Sequence, residues 1–335
     1  MKRLIMSALA IAAALIAPTA HADTFTYITY KPQGANDAHA NSLQWLVDEF
    51  AKRTGGKHSI QVFWGGSVAS VRETPEALAS GAGDMGDIVT PYFPDQFPVN
   101  NAIGFFIPQP LDSRGVGEAM VEWYKKYPQF SEELAKHNLH AISFRPLESY
   151  GLLCKQPVSK MADLKGKRIR SYGFAYPALI EAMGATPVTV TTSDTYEALE
   201  RSIIDCTPIG PALARGFKYD EVAKHYIEMP LGASFGHILA MNLDKYKAMD
   251  DKTRAVLDQL GKDYLVEYGN MLEADDARVR KLWKGDLGVD VTPFPAGELT
   301  ALVKDPRVQA VRKEWEEKAS ATGLDVKAIV SKLKF

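Results

Sequence analysis

The chain has 335 residues, of which 39 are basic and 41 acidic, for a net charge of −2. So mild a balance, with no basic tract, argues against nucleic acid or an anionic membrane as the main partner. The length is long for one core and suits two lobes.

The first residues set the compartment. Lys2 and Arg3 form a basic start, Leu4 to Ile16 is apolar, and Ala20-His21-Ala22 places small residues where a signal peptidase reads them. The expected leader is 1–22, cleaved after Ala22, and the mature chain is expected in the periplasm. The apolar run is short for a bilayer span, and no Cys follows it to carry a lipid. A retained N-terminal anchor is the alternative. Losing Lys2 and Arg3 leaves 37 basic against 41 acidic residues, a net charge of −4.

Thr24 to Tyr30, rich in β-branched and aromatic residues, predicts an opening strand. Ala38 to Arg53 has helical periodicity through Leu43, Leu46, Val47 and Phe50, and Gly55-Gly56 ends it. A strand over Ser59 to Trp64, a helix from Thr74-Pro75 and a strand over Met85 to Val89 follow. This alternation predicts parallel α/β architecture. Phe144 to Lys155 is strand-like and a good place to cross between lobes, and His237 to Leu243 is a candidate return crossing. Asp251 to Lys284 predicts one long helix with Leu257, Leu260, Tyr264, Leu265 and Tyr268 on a shared face, broken by Gly285 to Pro295. Pro306 to Lys318 predicts a charged surface helix pinned by Trp315.

A weak internal echo runs through the chain. Glu76-Ala77-Leu78 precedes Asp84 as Glu197-Ala198-Leu199 precedes Asp205, at an offset of 121 residues. Each copy reads as a helix, then a strand beginning near the Asp. Pro187 to Val190 likewise mirrors Ser59 to Trp64.

The chain has two cysteines, Cys154 and Cys206. In an exported protein this favours one disulfide over two buried thiols. Closing that loop stabilises by ~4 kcal/mol in the chain-entropy model. Zinc-type spacing is missing, and no P-loop, H-E-x-x-H or G-x-G-x-x-G occurs. No metal or cofactor is therefore expected. His137 and His140 read as surface helix-end histidines, and Asp84 and Asp87 as residues at strand or loop edges.

Gly232-Ala233-Ser234-Phe235-Gly236 matches the nucleophile elbow G-x-S-x-G. The residues after it read as strand rather than helix, and the last histidine is His237, three positions past Ser234. A secreted α/β hydrolase using Ser234 is therefore the weaker reading. The stretch Asp163 to Gly173, DLKGKRIRSYG, reads as a Gly turn and a short strand ending on Arg170. A guanidinium is a rigid fork of donors that matches a carboxylate two bonds at a time. Without a catalytic motif, it points to anion capture rather than turnover.

DLKGKRIR (163–170), GATPVTV (184–190), YEALERSIIDC (196–206), YDEVAKHY (219–226), GGKHSIQVFWGGSV (55–68) and EALASGAGDM (76–85) together resemble one family. In their order and spacing, over nearly the whole mature chain, they are similar to the periplasmic substrate-binding subunits of tripartite ATP-independent periplasmic (TRAP) transporters of the DctP type. The resemblance implies a two-lobed α/β periplasmic binding protein fold, with crossing strands and a long helix spanning both lobes. It implies lobe I over 23–148 and 236–276, lobe II over 149–235 and 277–310, and a C-terminal helical segment over 311–335. It implies hinge closure on a small organic acid, a monomer, and delivery to a permease with small and large integral membrane subunits.

The family's site arginine falls on Arg170, with Arg168 as a rival that strand alternation alone does not exclude. Tyr150 stands where some relatives have a second arginine, and Ile209 where relatives often have Asn. Tyr172, Phe174, Phe235, Thr90 and Tyr92 are implied near the cleft, and Thr192 and Trp64 complete the expected site. One cation among aromatic or apolar walls favours a monocarboxylate with an apolar or aromatic body, such as a 2-oxo, 2-hydroxy or aromatic acid. A C4-dicarboxylate, or a sugar acid rich in hydroxyls, is the alternative. A ligand-sensing partner of a membrane receptor would share the fold.

Overall fold

The computed structural model describes residues 23–33 and 36–334, without the side chains of 234–236 and 296. The expected leader and the side chains of Ser234 and Phe235 thus lie outside the described residues. Eleven strands are present among the described residues. They are β1 (Thr24–Ile28), β2 (Ser59–Phe63), β3 (Met85–Ile88), β4 (Leu139–Ser149), β5 (Gly151–Cys154), β6 (Arg168–Ser171), β7 (Thr186–Thr189), β8 (Cys206–Ile209), β9 (His225–Glu228), β10 (Ala233–Asn242) and β11 (Asp290–Pro293).

They form two sheets, ordered β2-β1-β3-β10-β4 and β11-β9-β5-β8-β6-β7. The chain passes from the first to the second at Tyr150, between β4 and β5, and has returned to the first by β10. Of the run 237–243, residues 237–242 therefore lie inside the first sheet rather than forming the crossing itself, and Leu243 starts a helix. A Cβ on Gly151 would lie 2.3 Å from the Ile227 carbonyl oxygen, so only glycine fits where the chain enters the second sheet.

The internal echo has a structural counterpart. β1 pairs in parallel with β2 and β3, as β6 pairs in parallel with β7 and β8. Asp84 and Asp205 each sit one residue before a strand, and each carboxylate accepts the N–H of the neighbouring strand, from Thr26 and Arg168 respectively, at 2.8 Å. In both lobes one side chain thus fixes the same step of the ladder.

Side chains alternate across the first sheet. Tyr27, Leu239 and Met241 face helices 38–53 and 251–284, while Ile28, Ile238 and Ala240 face the core that holds Trp123 and Trp315. Asp37 caps the first of these helices by accepting from Ala40 N at 2.8 Å, and Asp250 caps the long one by accepting from Thr253 N at 2.9 Å. The long helix buries Leu257, Leu260, Tyr264 and Tyr268 on the first lobe and Val279 and Trp283 on the second, with Leu265 only partly covered. Helix 306–320 also touches both cores, and Trp315 Nε1 donates to the Pro98 carbonyl at 2.8 Å.

Three further sequence expectations change. β11 forms inside the stretch read only as a break, because it pairs with β9. His140 lies on β4 and stacks on Tyr246 at 3.7 Å between ring centroids, rather than at a helix end. Asp87 is not at an edge: it is buried within β3 and paired with Arg145 at 2.8 Å.

Candidate functional site between the lobes

Arg168 and Arg170 begin on one short strand and part company through their partners. Arg168 lies at the exposed start of β6 and is held by Asp205 through Nε and Nη2. Arg170 is 2 % exposed and points between the lobes. Its Nε donates to the Val190 carbonyl at 3.0 Å, and its Nη2 donates to Tyr92 Oη at 3.0 Å and Thr192 Oγ1 at 2.9 Å. The guanidinium lies 4.5 Å over the Tyr172 ring.

No carboxylate of the described residues lies within salt-bridge distance of Arg170. Two buried cations of the first lobe are neutralised, Arg145 by Asp87 and Lys31 by Asp37 at 2.6 Å, whereas Arg312, as deeply buried as Arg170, donates to the Pro108 carbonyl and has no carboxylate of the described residues within salt-bridge distance. A buried cation without an anion is costly, and the tyrosine and threonine oxygens around Arg170 offset only part of that cost.

Tyr92 comes from the other lobe, in the turn after β3. Its Oη also accepts the Thr192 N–H at 2.9 Å and shares a hydrogen with Thr192 Oγ1 at 2.8 Å. Thr192 in turn gives its carbonyl to Tyr219 Oη. Gly173 lets the lobes meet here: at φ +64°, a Cβ would sit 3.2 Å from the Pro91 carbonyl oxygen.

Around Arg170 is a cavity of about 20 Å³, room for one water-sized group. Tyr30, Tyr92 and His237 line it from the first lobe, Arg170, Tyr172 and Thr192 from the second, and Tyr150 at the crossing. Of the residues singled out in the sequence, Arg170, Tyr172, Tyr150, Tyr92 and Thr192 are thus brought together. Thr90 is buried in the neighbouring turn, Ile209 lies in the core of β8, and Trp64 packs against the first-lobe core; none of the three lines this cavity. Phe174 stacks on Phe105 instead.

Tyr30 and His237 were not singled out by the sequence. They lie 207 positions apart and meet at 2.8 Å between Tyr30 Oη and His237 Nε2. Burial lowers the His237 pKa to about 3, so the ring is neutral. Burial, and after it the Asp87 carboxylate, holds the Tyr30 phenol well above its usual value, and burial does the same at Tyr150. A larger concavity of about 440 Å³ lies between helices 113–126 and 251–284, rimmed by the Arg114–Glu273 pair, and shares no lining residue with the cavity around Arg170.

Cys154 and Cys206 form a disulfide between directly paired residues of β5 and β8. Cys206 is also the register partner of Ile169, the residue before Arg170. The G-x-S-x-G match runs into β10 and not into a helix, so a nucleophile elbow is not formed. Among the described residues no cluster of three or more His, Cys, Asp or Glu could hold a metal, and no helix is long and apolar enough to cross a membrane.

Two α/β lobes, joined by crossing strands and spanned by one long helix, with a buried cation between them, define the two-lobed class of periplasmic binding proteins. Residues 32–318 match the family described as bacterial extracellular solute-binding protein, family 7, the DctP family, and the chain belongs to it. By that family it is a solute-binding protein rather than an enzyme.

Solved structures share the fold. An extracytoplasmic solute receptor of Bordetella pertussis that binds pyroglutamic acid is 20 % identical, with a TM-score of 0.77 over 91 % of this chain and 98 % of that one. A TRAP periplasmic solute-binding protein of Desulfovibrio salexigens is 22 % identical, with a TM-score of 0.77 over 93 % and 94 %. One from Sulfitobacter, with bound β-D-galacturonate, is 16 % identical, with a TM-score of 0.77 over 91 % and 98 %.

Proposed function

We propose that this receptor captures a small organic monocarboxylate through Arg170 and delivers it, as a monomer, to the small and large membrane subunits of a TRAP permease. The observation that carries the reading is a buried guanidinium between the lobes with no carboxylate partner among the described residues. A ligand carboxylate would supply the missing anion and meet the guanidinium fork two bonds at a time. Tyr172, Tyr150, Tyr92 and Thr192 would enclose the ligand body.

Relatives of this fold are solved with pyroglutamate and with uronates. The tyrosine-rich walls favour the former type, a compact monocarboxylate. A uronate carries many hydroxyls, each costly to bury unpaired.

Calorimetry against a panel of monocarboxylates tests the reading. Arg170→Ala should weaken binding at least about 100-fold, close to 2.7 kcal/mol. Unchanged carboxylate affinity in that variant would remove Arg170 as the anchor.

A further inference from the structure

We propose that Tyr30 and His237 form a second recognition element of the cleft, one that reads a neutral hydrogen-bonding group on the ligand: a hydroxyl, a carbonyl or an amide. The inference rests on the carboxylate reading of Arg170 and adds what the rest of the ligand must carry. Both side chains line the same cavity as Arg170 but come from the opposite lobe, Tyr30 after β1 and His237 from β10. A ligand held at Arg170 therefore meets them across the cleft.

The surroundings keep this pair uncharged. Arg145 is the direct cross-strand neighbour of His237, Asp87 lies on β3, Lys31 follows Tyr30, and the His39 ring is 5.7 Å away. Asp87 and Arg145 neutralise each other, as do Lys31 and Asp37. Burial and the two cations disfavour a proton on His237 more than Asp87 favours it. Arg170 is the one cation among the residues lining the cavity, so a second carboxylate would find no partner there.

A neutral imidazole has one donor and one acceptor nitrogen. With the hydrogen on Nδ1, Tyr30 donates to Nε2 and its oxygen is left to accept from a ligand hydroxyl or amide N–H. With the hydrogen on Nε2, the ring donates to Tyr30, whose own O–H is left to donate to a ligand carbonyl. His237 Nδ1 is buried with no hydrogen-bond partner among the described residues, so no contact with them fixes the tautomer there. The ligand group selects it.

The test uses matched probes on the full chain: pyroglutamate against cyclopentanecarboxylate, lactate against propionate, and succinate against butyrate. The wild type should prefer the neutral-polar member of the first or second pair by at least tenfold. Tyr30→Phe should cut that ratio below threefold by weakening the polar member alone, and His237→Gln, which keeps a donor and an acceptor, should retain most of it. Should a variant misfold, the ¹⁵N shifts of the His237 ring in the wild type still report the tautomer, which should differ between hydroxyl-bearing and carbonyl-bearing probes. Arg170→Lys should weaken both members of each pair alike. If it has no effect while Tyr30→Phe removes discrimination, the clamp fails and the Tyr30–His237 reading survives. An unchanged ratio in Tyr30→Phe, a preference for succinate, or no binding across the panel overturns the proposal.

Discussion

Tyr92 Oη is shared among Arg170, Thr192 N and Thr192 Oγ1, so one hydroxyl ties the first lobe to the arginine of the second. Replacing it with the phenyl ring of Phe leaves a buried N–H and a guanidinium each one partner short, which costs more than a surface bond would. Tyr92→Phe should raise amide hydrogen exchange in segment 190–195 roughly tenfold, equivalent to about 1.4 kcal/mol. Exchange unchanged there would show that the tie is not used in solution. At the same scale Arg168 is already paired with a carboxylate, that of Asp205, 37 positions away.

The disulfide and the β4–β5 crossing act on whole elements. Cys154–Cys206 joins β5 to β8 directly beside β6, so it stiffens the strand that carries Arg170. Replacing both cysteines with Ser should lower the unfolding free energy by about 2–4 kcal/mol in denaturant titrations. A loss under about 0.5 kcal/mol would mean that the staple constrains little.

Glu148, near the end of β4, accepts Leu213 N at 2.8 Å from the start of helix 211–216 in the other lobe. Burial raises its pKa to about 7, from 4.5. The folded state thus holds this proton over a range in which the unfolded chain releases it. The stabilisation is complete below pH 4.5 and is lost as pH rises to 7, at up to about 1.4 kcal/mol per pH unit. His237 has the opposite sign, because its pKa is lowered: its contribution is present above 6.5 and is lost as pH falls towards 3. Glu148→Gln should therefore gain stability relative to the wild type between pH 5 and 8, on the order of 2 kcal/mol. Parallel pH profiles for the two proteins would contradict this.

At the scale of the molecule, about 20 Å³ of cavity admits no organic acid while the Tyr92 tie is made. We infer that the lobes part before a ligand enters, with the motion absorbed at the crossing at Tyr150 and along the two spanning helices, the segments that pass between the lobes. Stopped-flow binding should therefore show an observed rate that saturates with ligand concentration. A linear rise at diffusion-limited slope, on the order of 10⁹ M⁻¹ s⁻¹, would contradict gating by opening.

The sequence by itself determined the alternation of strands and helices, the bounds of helix 251–284 and the two-lobed class, because period, capping residues and motif order are local properties. It could not show that Asp87 lies beside Arg145, or that β11 forms at all, because each depends on a partner strand remote in the chain. Nor could it show that Tyr30 meets His237, 207 positions away, or that Tyr92 reaches across to Arg170. Those contacts follow from how two sheets are placed around one crossing. Burial then decided their chemistry: it set Arg170 between the lobes with no carboxylate of the described residues at salt-bridge distance, and it left His237 neutral.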